Sequence, residues 1–121
     1  MTYNYNTWYG PYDLTQKGID SNVNPQPLGN YCLSLTPTNS SPTIDYVGRA
    51  HDRPVHDRLI DHLSDELSDC KSFWVMYKRT AEETYVQECN DYHQYTHQLN
   101  KNHPARLPGS TLGCPVPGCN K

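Results

Sequence analysis

The sequence predicts a mainly α fold: a single antiparallel helical hairpin, at about 55–78 and 81–102, with long irregular N- and C-terminal arms. All ten prolines and all seven glycines lie outside residues 55–103, so this window contains no strong helix breaker. Inside the window, apolar residues recur every three or four positions, as they do along one face of an amphipathic helix. The chain therefore divides into an extended arm rich in Tyr, Pro and Asn (1–54), the hairpin, and a Cys/Pro/Gly tail (104–121).

The N-terminal arm is predicted to order against a partner protein. Residues 34–43 are almost all Ser, Thr, Pro and Asn, a composition typical of loops. The chain has ten tyrosines, and this side chain suits interfaces because it combines contact area with a polar tip. A mobile tail is the alternative interpretation. The predicted interface residues of the whole chain are Trp8, Tyr9, Trp74, Tyr77, Tyr85 and Tyr92.

Two helix starts are visible in the window. Pro54 suits the start of the first helix, where its missing N–H costs nothing. Its apolar stripe comprises Leu59, Leu63, Leu67, Cys70, Trp74 and Tyr77. Thr80 and Glu83 match a capping box, the signature of a second helix, which we expect to end near His103. The turn of the hairpin then falls near Arg79.

Composition argues against several functions. The net charge is −3 and no basic patch is present, so nucleic-acid binding is not expected. No apolar run approaches the roughly 18 residues that a membrane span requires. Because no nucleotide-binding or catalytic motif occurs, we expect neither enzymatic activity nor a cofactor. The acidic residues 61–69 are typical of a solvated helix face.

The chain has five cysteines, so it can form two disulfides at most, and at least one thiol is left unpaired. Folding the hairpin about its turn places Cys70 opposite Cys89, which predicts a disulfide between the helices. Cys114 and Cys119 flank Pro-Val-Pro-Gly and are expected to form disulfides too, either as a small ring or with Cys32. Inert buried thiols are the alternative for the first pair.

A metal site is a second possibility for these residues. The same register brings Glu66 near His93, and Cys70, Cys89, His93 and Glu66 offer four ligands of the kinds that tetrahedral zinc accepts. Cys114-x4-Cys119 is half of a metal-binding pattern, but the sequence shows no convincing second half.

Paired cysteines on a predicted helical hairpin resemble the coiled-coil-helix–coiled-coil-helix (CHCH) proteins of the mitochondrial intermembrane space. Two segments, Asp52-Arg53-Pro54-Val55 and Tyr85-Val86-Gln87-Glu88-Cys89, are similar to the PDSW-type subunits of respiratory complex I. Members of the family carry twin C-x9-C pairs, whereas each predicted helix here has a single cysteine.

The resemblance implies a non-catalytic accessory subunit of a mitochondrial respiratory-chain complex, on the intermembrane-space side of complex I. Its partners would be other protein subunits, and it would be peripheral to the inner membrane. Three alternatives remain: a cytosolic filament- or microtubule-associated protein, a small zinc-binding module, or a redox enzyme that uses thiols such as Cys89.

Overall fold

A computed structural model describes residues 2–95 and 98–121. It corrects the predicted fold class, because the protein is α+β rather than mainly α. Four strands, β1 (Tyr9–Asp13), β2 (Leu28–Ser34), β3 (Tyr46–Ala50) and β4 (Ser72–Lys78), form an antiparallel sheet in the order β1-β4-β2-β3. Three helices, α1 (Gln16–Asn22), α2 (Val55–Asp61) and α3 (Ala81–Gln94), complete the fold.

The predicted hairpin is wrong because its first helix ends early. Helix α2 ends at Asp61, and residues 72–78 form strand β4. This strand is paired on both sides, with β1 and with β2, and six of its seven residues are buried. Its sequence, Ser-Phe-Trp-Val-Met-Tyr-Lys, is a nearly continuous apolar run rich in aromatic residues, as expected for a central strand covered on both faces.

The predicted irregular arm, residues 1–54, is also wrong: it contains strands β1 to β3 and helix α1. Strand β2 is buried over six of its seven residues, so this part of the chain contributes a central strand to the core. Residues 104–121 do form an irregular segment, with turns but neither helix nor strand.

Helices cover both faces of the sheet. Alternate residues of β2 and β4 face α1 and α2 and form the main hydrophobic core, in agreement with the twofold period of strand side chains. This core includes Tyr31, Leu33, Phe73, Val75, Tyr77, Ile19, Val55 and Leu59. Helix α3 lies against the opposite face, where Asn30 of β2 donates a hydrogen bond to the Thr84 carbonyl at 2.9 Å.

Helix α3 begins where its capping residue predicts. The Thr80 hydroxyl accepts a hydrogen bond from the Glu83 N–H at 3.2 Å, and the Glu83 carboxylate accepts one from the Arg79 N–H at 3.0 Å. The helix ends at Gln94 rather than near 102, and residues 96 and 97 of the predicted helix lie outside the described residues. On α3, Tyr85 and Cys89 pack with Leu107, which holds the C-terminal segment against this helix.

Candidate functional site

A chain of hydrogen bonds links a tyrosine, a histidine and a carboxylate within the fold. The Tyr31 hydroxyl lies 2.8 Å from Nε2 of His62, and Nδ1 of His62 lies 2.8 Å from Oδ2 of Asp65. An ionised carboxylate only accepts hydrogen bonds, so Nδ1 carries the proton that is shared with Asp65. In the neutral imidazole, Nε2 is then the acceptor for the Tyr31 hydroxyl.

The backbone determines this alignment. Tyr31 is in the middle of β2 and pairs with Gly48 of β3, where a Cβ atom would overlap the tyrosine ring. His62 caps the C-terminus of α2 and is fully buried. Asp65 follows in the next turn, and its other oxygen, Oδ1, accepts a hydrogen bond from the Leu67 N–H at 2.8 Å. Each member is therefore held by a separate element.

A second tyrosine and an arginine surround the Tyr31 hydroxyl. The positive charge of Arg58, on α2, acts on the Tyr31 hydroxyl, and the ring of Tyr46 stacks with that of Tyr31 at 6.3 Å between centroids. Tyr46 also packs edge-on against His62. These groups lie beside a pocket of about 260 Å³ that is open to solvent. Its lining comprises Tyr31, Tyr46, Gly48, Arg49, His51, Arg58, Glu88 and Ala105.

An ion pair forms another wall of the pocket. Nη1 of Arg49, from β3, lies 2.8 Å from Oε1 of Glu88, from α3, and both side chains are nearly buried. Nη2 of Arg49 donates to the carbonyl of Ala105 at 2.7 Å, so the C-terminal segment is attached to the rim of the pocket. Nε of Arg49 lies 3.3 Å from Nδ1 of His51.

Burial shifts the proton affinities in this site. Desolvation raises the pKa of Tyr31 well above its usual value, although the neighbouring Arg58 opposes the shift. Desolvation, together with the positive charge of Arg58, lowers the pKa of His62, against the opposing effect of Asp65. The pKa of Glu88 is raised by burial, which outweighs the attraction of Arg49. His62 is thus a neutral imidazole at pH 7.

This arrangement has the geometry of an acid–base relay. A neutral histidine that is oriented by a carboxylate can remove the proton of the group bonded to its free nitrogen. Here that group is the Tyr31 hydroxyl, which keeps its proton at rest because its own pKa is raised and that of His62 is lowered. Tyr31 can therefore pass a proton to His62 only as it receives another. Tyr31 is 1% exposed and His62 is fully buried, so the hydrogen bond between them is shielded from bulk water, whereas Asp65 is partly exposed.

A second cluster of polar groups lies where the C-terminal segment returns to α3. It consists of His93, His103, Cys114 and Cys119, and one ligand atom from each lies within 4.8 Å of the other three. Cys114 Sγ is 3.5 Å from Nε2 of His93, and Cys119 Sγ is 3.4 Å from Nε2 of His103. The predicted pair of C-terminal cysteines is thus next to two histidines, and all five cysteines have free thiols in this structure.

The structure does not bring together the other predicted cysteine pair. Cys70 is in the main core, on the side of the sheet covered by α1 and α2, whereas Cys89 packs under Leu107 on the α3 side. Burial raises the pKa of Cys70 to about 11 and that of Cys89 to about 12, so neither is a reactive thiolate at neutral pH. Of the predicted metal ligands Cys70, Cys89, His93 and Glu66, His93 alone belongs to the observed cluster.

Two of the predicted interface residues do not fit this fold as partner contacts. Tyr77 and Tyr85 are buried within the chain, where they are 2% and 0% exposed. The other four, Trp8, Tyr9, Trp74 and Tyr92, are partly exposed.

Sequence reasoning missed the Tyr31 site, and in the C-terminal cluster it named His93, Cys114 and Cys119 but not His103 and not their grouping. Tyr31 lay in the predicted arm, and Asp65 in a run of acidic residues interpreted as a solvated face. No spacing in the sequence connects them, because they meet through the sheet. His103 could have been found from the sequence, because His93 and His103 together supply the two further metal ligands that the Cys114-x4-Cys119 pair lacked.

The fold and the pocket define this chain as a small α+β protein in which Tyr31, His62 and Asp65 form a hydrogen-bonded series. No family profile, curated protein or solved structure matches it. Among the described residues, no helix has the length and apolar character needed to cross a membrane.

Proposed function

We propose that the protein is a hydrolase that cleaves phosphate diesters in the pocket beside Tyr31. The observation that carries this proposal is the hydrogen-bonded series Tyr31, His62 and Asp65, which opens onto a pocket containing arginine and carboxylate groups. A nucleophile or base that is activated by a neighbour, which is itself oriented by a third group, is the general pattern of such catalytic sites.

Phosphate is the substrate group that best fits the charges. Guanidinium groups recognise phosphate oxygens by paired hydrogen bonds, and Arg58 and Arg49 both line the pocket. Arg58 is the better placed of the two, because its side chain is 34% exposed and its ion-pair partner, Asp61, is 3.8 Å away. Arg49 is occupied by Glu88 and Ala105.

In the proposed reaction, a water molecule in the pocket attacks phosphorus. Its proton passes to the oxygen of Tyr31 as Tyr31 gives its own proton to Nε2 of His62. The bond from the water oxygen to phosphorus forms while the bond from phosphorus to the leaving oxygen breaks. The leaving oxygen takes a proton from solvent, and His62 then returns its proton to solvent through the Tyr31 hydroxyl and the pocket. Arg58 stabilises the negative charge that develops on the phosphate oxygens.

Glu88 is the carboxylate that lines the pocket; Arg49 binds its Oε1, so its second oxygen, Oε2, is the ligand that it would offer a divalent cation. Mg²⁺ is commonly bound through one or two carboxylates together with substrate phosphates, and carboxylate oxygens suit hard cations. A cation held there would offset charge on the substrate, so we expect activity to require Mg²⁺ or Mn²⁺.

The substrate test compares three ester types with the full chain. We expect hydrolysis of bis-para-nitrophenyl phosphate in the presence of Mg²⁺ or Mn²⁺. Much slower reaction is expected with para-nitrophenyl phosphate, a monoester, and with para-nitrophenyl acetate, a carboxylic ester. Absence of diester hydrolysis with both cations would overturn the proposal. Faster cleavage of the acetate would instead indicate an acyl hydrolase.

The cation requirement has its own variant. Glu88→Gln should remove cation-dependent hydrolysis, whereas Glu82→Gln, an exposed position in the first turn of the same helix, should leave it unchanged. Equal rates for the two variants would show that Glu88 does not hold the cation.

The accessory-subunit function stays an untested prediction, as do the mitochondrial location and protein partners that accompany it. Its argument depended on a disulfide-bonded helical hairpin, and the sheet replaces that hairpin. The diester-hydrolase proposal has in its favour a pocket of defined geometry, so it is the function that the structure supports best.

A further inference from the structure

Three distances in the cluster at the C-terminal segment match those of a tetrahedral zinc site. Zinc binds histidine nitrogen at about 2.0–2.1 Å and cysteine sulfur at about 2.3 Å, so neighbouring ligand atoms lie about 3.3 Å apart for two nitrogens and about 3.6 Å apart for nitrogen and sulfur. Here the Nε2 atoms of His93 and His103 are 3.3 Å apart, and the two nitrogen–sulfur distances are 3.5 and 3.4 Å. Two imidazoles and two thiols are a standard ligand set for structural zinc.

The surroundings orient the ligands. Nδ1 of His103 lies 2.9 Å from the Pro104 carbonyl oxygen, which only accepts, so Nδ1 carries the hydrogen and Nε2 keeps its lone pair for a metal. The ring of Tyr92 packs edge-on against both histidines, at 5.6 and 5.1 Å between centroids. These contacts are the kind of outer-shell support that metal-bound histidines usually have.

The turn between the cysteines brings both sulfur atoms to the same place. The Cys119 N–H donates to the Val116 carbonyl at 3.1 Å, and Gly118 has a φ of 86°, a conformation that glycine adopts without strain. The sequence Cys-Pro-Val-Pro-Gly-Cys therefore forms a tight loop that presents two thiols to the histidines. His93 comes from the last turn of α3, and the other three ligands follow the helix.

We propose that His93, His103, Cys114 and Cys119 bind one structural zinc ion, which fastens the C-terminal segment to helix α3. Residues 104–121 contain neither helix nor strand, and only two of them, Pro104 and Leu107, are buried. A segment with so little apolar burial gains most of its order from a cross-link, and a metal supplies one. The argument for this site does not rest on the proposed hydrolase activity.

The first test is the metal content of the full chain, produced in zinc-supplemented medium and purified without chelator. We expect one equivalent of zinc. The double variant Cys114→Ser with Cys119→Ser should lose it, and Cys32→Ala, a buried thiol of strand β2, should retain it. Less than half an equivalent in the wild-type chain after zinc reconstitution would overturn the proposal, as would a disulfide between Cys114 and Cys119 in the native protein.

A spectroscopic test avoids any failure of the variants to fold. The wild-type chain, stripped with chelator, is titrated with Co²⁺. Tetrahedral coordination by two thiolates and two imidazoles should give intense d–d bands and a thiolate-to-cobalt charge-transfer band that saturate at one equivalent and disappear when zinc is added. A spectrum of weak octahedral bands would contradict the site.

Hydrogen exchange tests its structural role. Removal of zinc should abolish protection of amides in residues 104–121 while the amides of β2 and β4 remain protected, because the sheet does not depend on the segment. Unchanged protection of the segment without zinc would show that the metal does not fasten it.

Discussion

Gly48 controls the position of the Tyr31 ring, and an added methyl group should disturb it. An ideal Cβ at residue 48 would lie 2.5 Å from the Tyr31 hydroxyl oxygen and 2.7 Å from Cε2 of its ring. No ordinary contact is this short, so the ring must move. Overpacking of a core costs about 1–3 kcal/mol, whereas Ala in an unobstructed strand is about 0.5–1 kcal/mol better than Gly. We therefore expect Gly48→Ala to destabilise the protein by about 1–2 kcal/mol.

A double-mutant cycle measures this clash directly. Urea unfolding would give the free energy of unfolding for the wild type, Gly48→Ala, Tyr31→Leu and the double variant. Leucine lacks the ring atoms that the methyl group would meet, so Gly48→Ala should be neutral or stabilising in the Tyr31→Leu background. The expected coupling free energy is about 1–3 kcal/mol. A cost for Gly48→Ala that is equal in both backgrounds would refute the reasoning.

Three further predictions concern His62, Asp65 and the start of helix α3. First, the rate of diester hydrolysis should be insensitive to pH near neutrality and should fall on acidification, with a midpoint below about pH 6.5. The reason is that burial and Arg58 lower the pKa of His62, and the other groups that face His62 are Asp65, Glu66, Tyr31 and Tyr46. A rate that rises on acidification from about pH 7 would contradict the relay. Second, Asp65→Asn should lower the steady-state rate at least about tenfold, because the proton on Nδ1 of His62 loses its carboxylate acceptor. The control, Asp69→Asn at an exposed position, should keep the wild-type rate, and equal rates for the two variants would refute the role of Asp65. Third, Thr80→Ala should lower the free energy of urea unfolding by about 1 kcal/mol, because the first turn of α3 loses its cap, while the exposed Thr111→Ala should change it little.

Local signals in the sequence predicted local structure well. The capping pattern at Thr80 and Glu83 located the start of α3 correctly, because it depends on residues three apart. The same kind of reasoning failed for residues 72–78, where a spacing of three and four was read from Cys70, Trp74 and Tyr77. A continuous apolar run fits a helical stripe and a buried strand equally well, and pairing with β1 and β2 decided between them.

The candidate site depends on contacts that span the chain. Tyr31 and His62 are separated by 31 residues, and they meet because the sheet brings β2 beside β3 and α2 packs onto that face. Gly48 indicates a close contact with the Tyr31 ring only once the pairing of β3 with β2 is known. Ligand spacing in the C-terminal cluster is irregular for a similar reason, since the chain between His93 and Cys119 turns back onto α3.

The central claim is that the Tyr31 hydroxyl takes part in diester cleavage, and one comparison tests it most directly. Tyr31→Phe removes a single oxygen, and Tyr12→Phe removes the same atom from a tyrosine on β1 outside the pocket. Both variants and the wild type are purified in parallel and assayed on bis-para-nitrophenyl phosphate with Mg²⁺, with folding checked by circular dichroism. The account predicts a rate for Tyr31→Phe that is lower by about 10²–10⁴ and an unchanged rate for Tyr12→Phe. A folded Tyr31→Phe protein with the wild-type rate would contradict it.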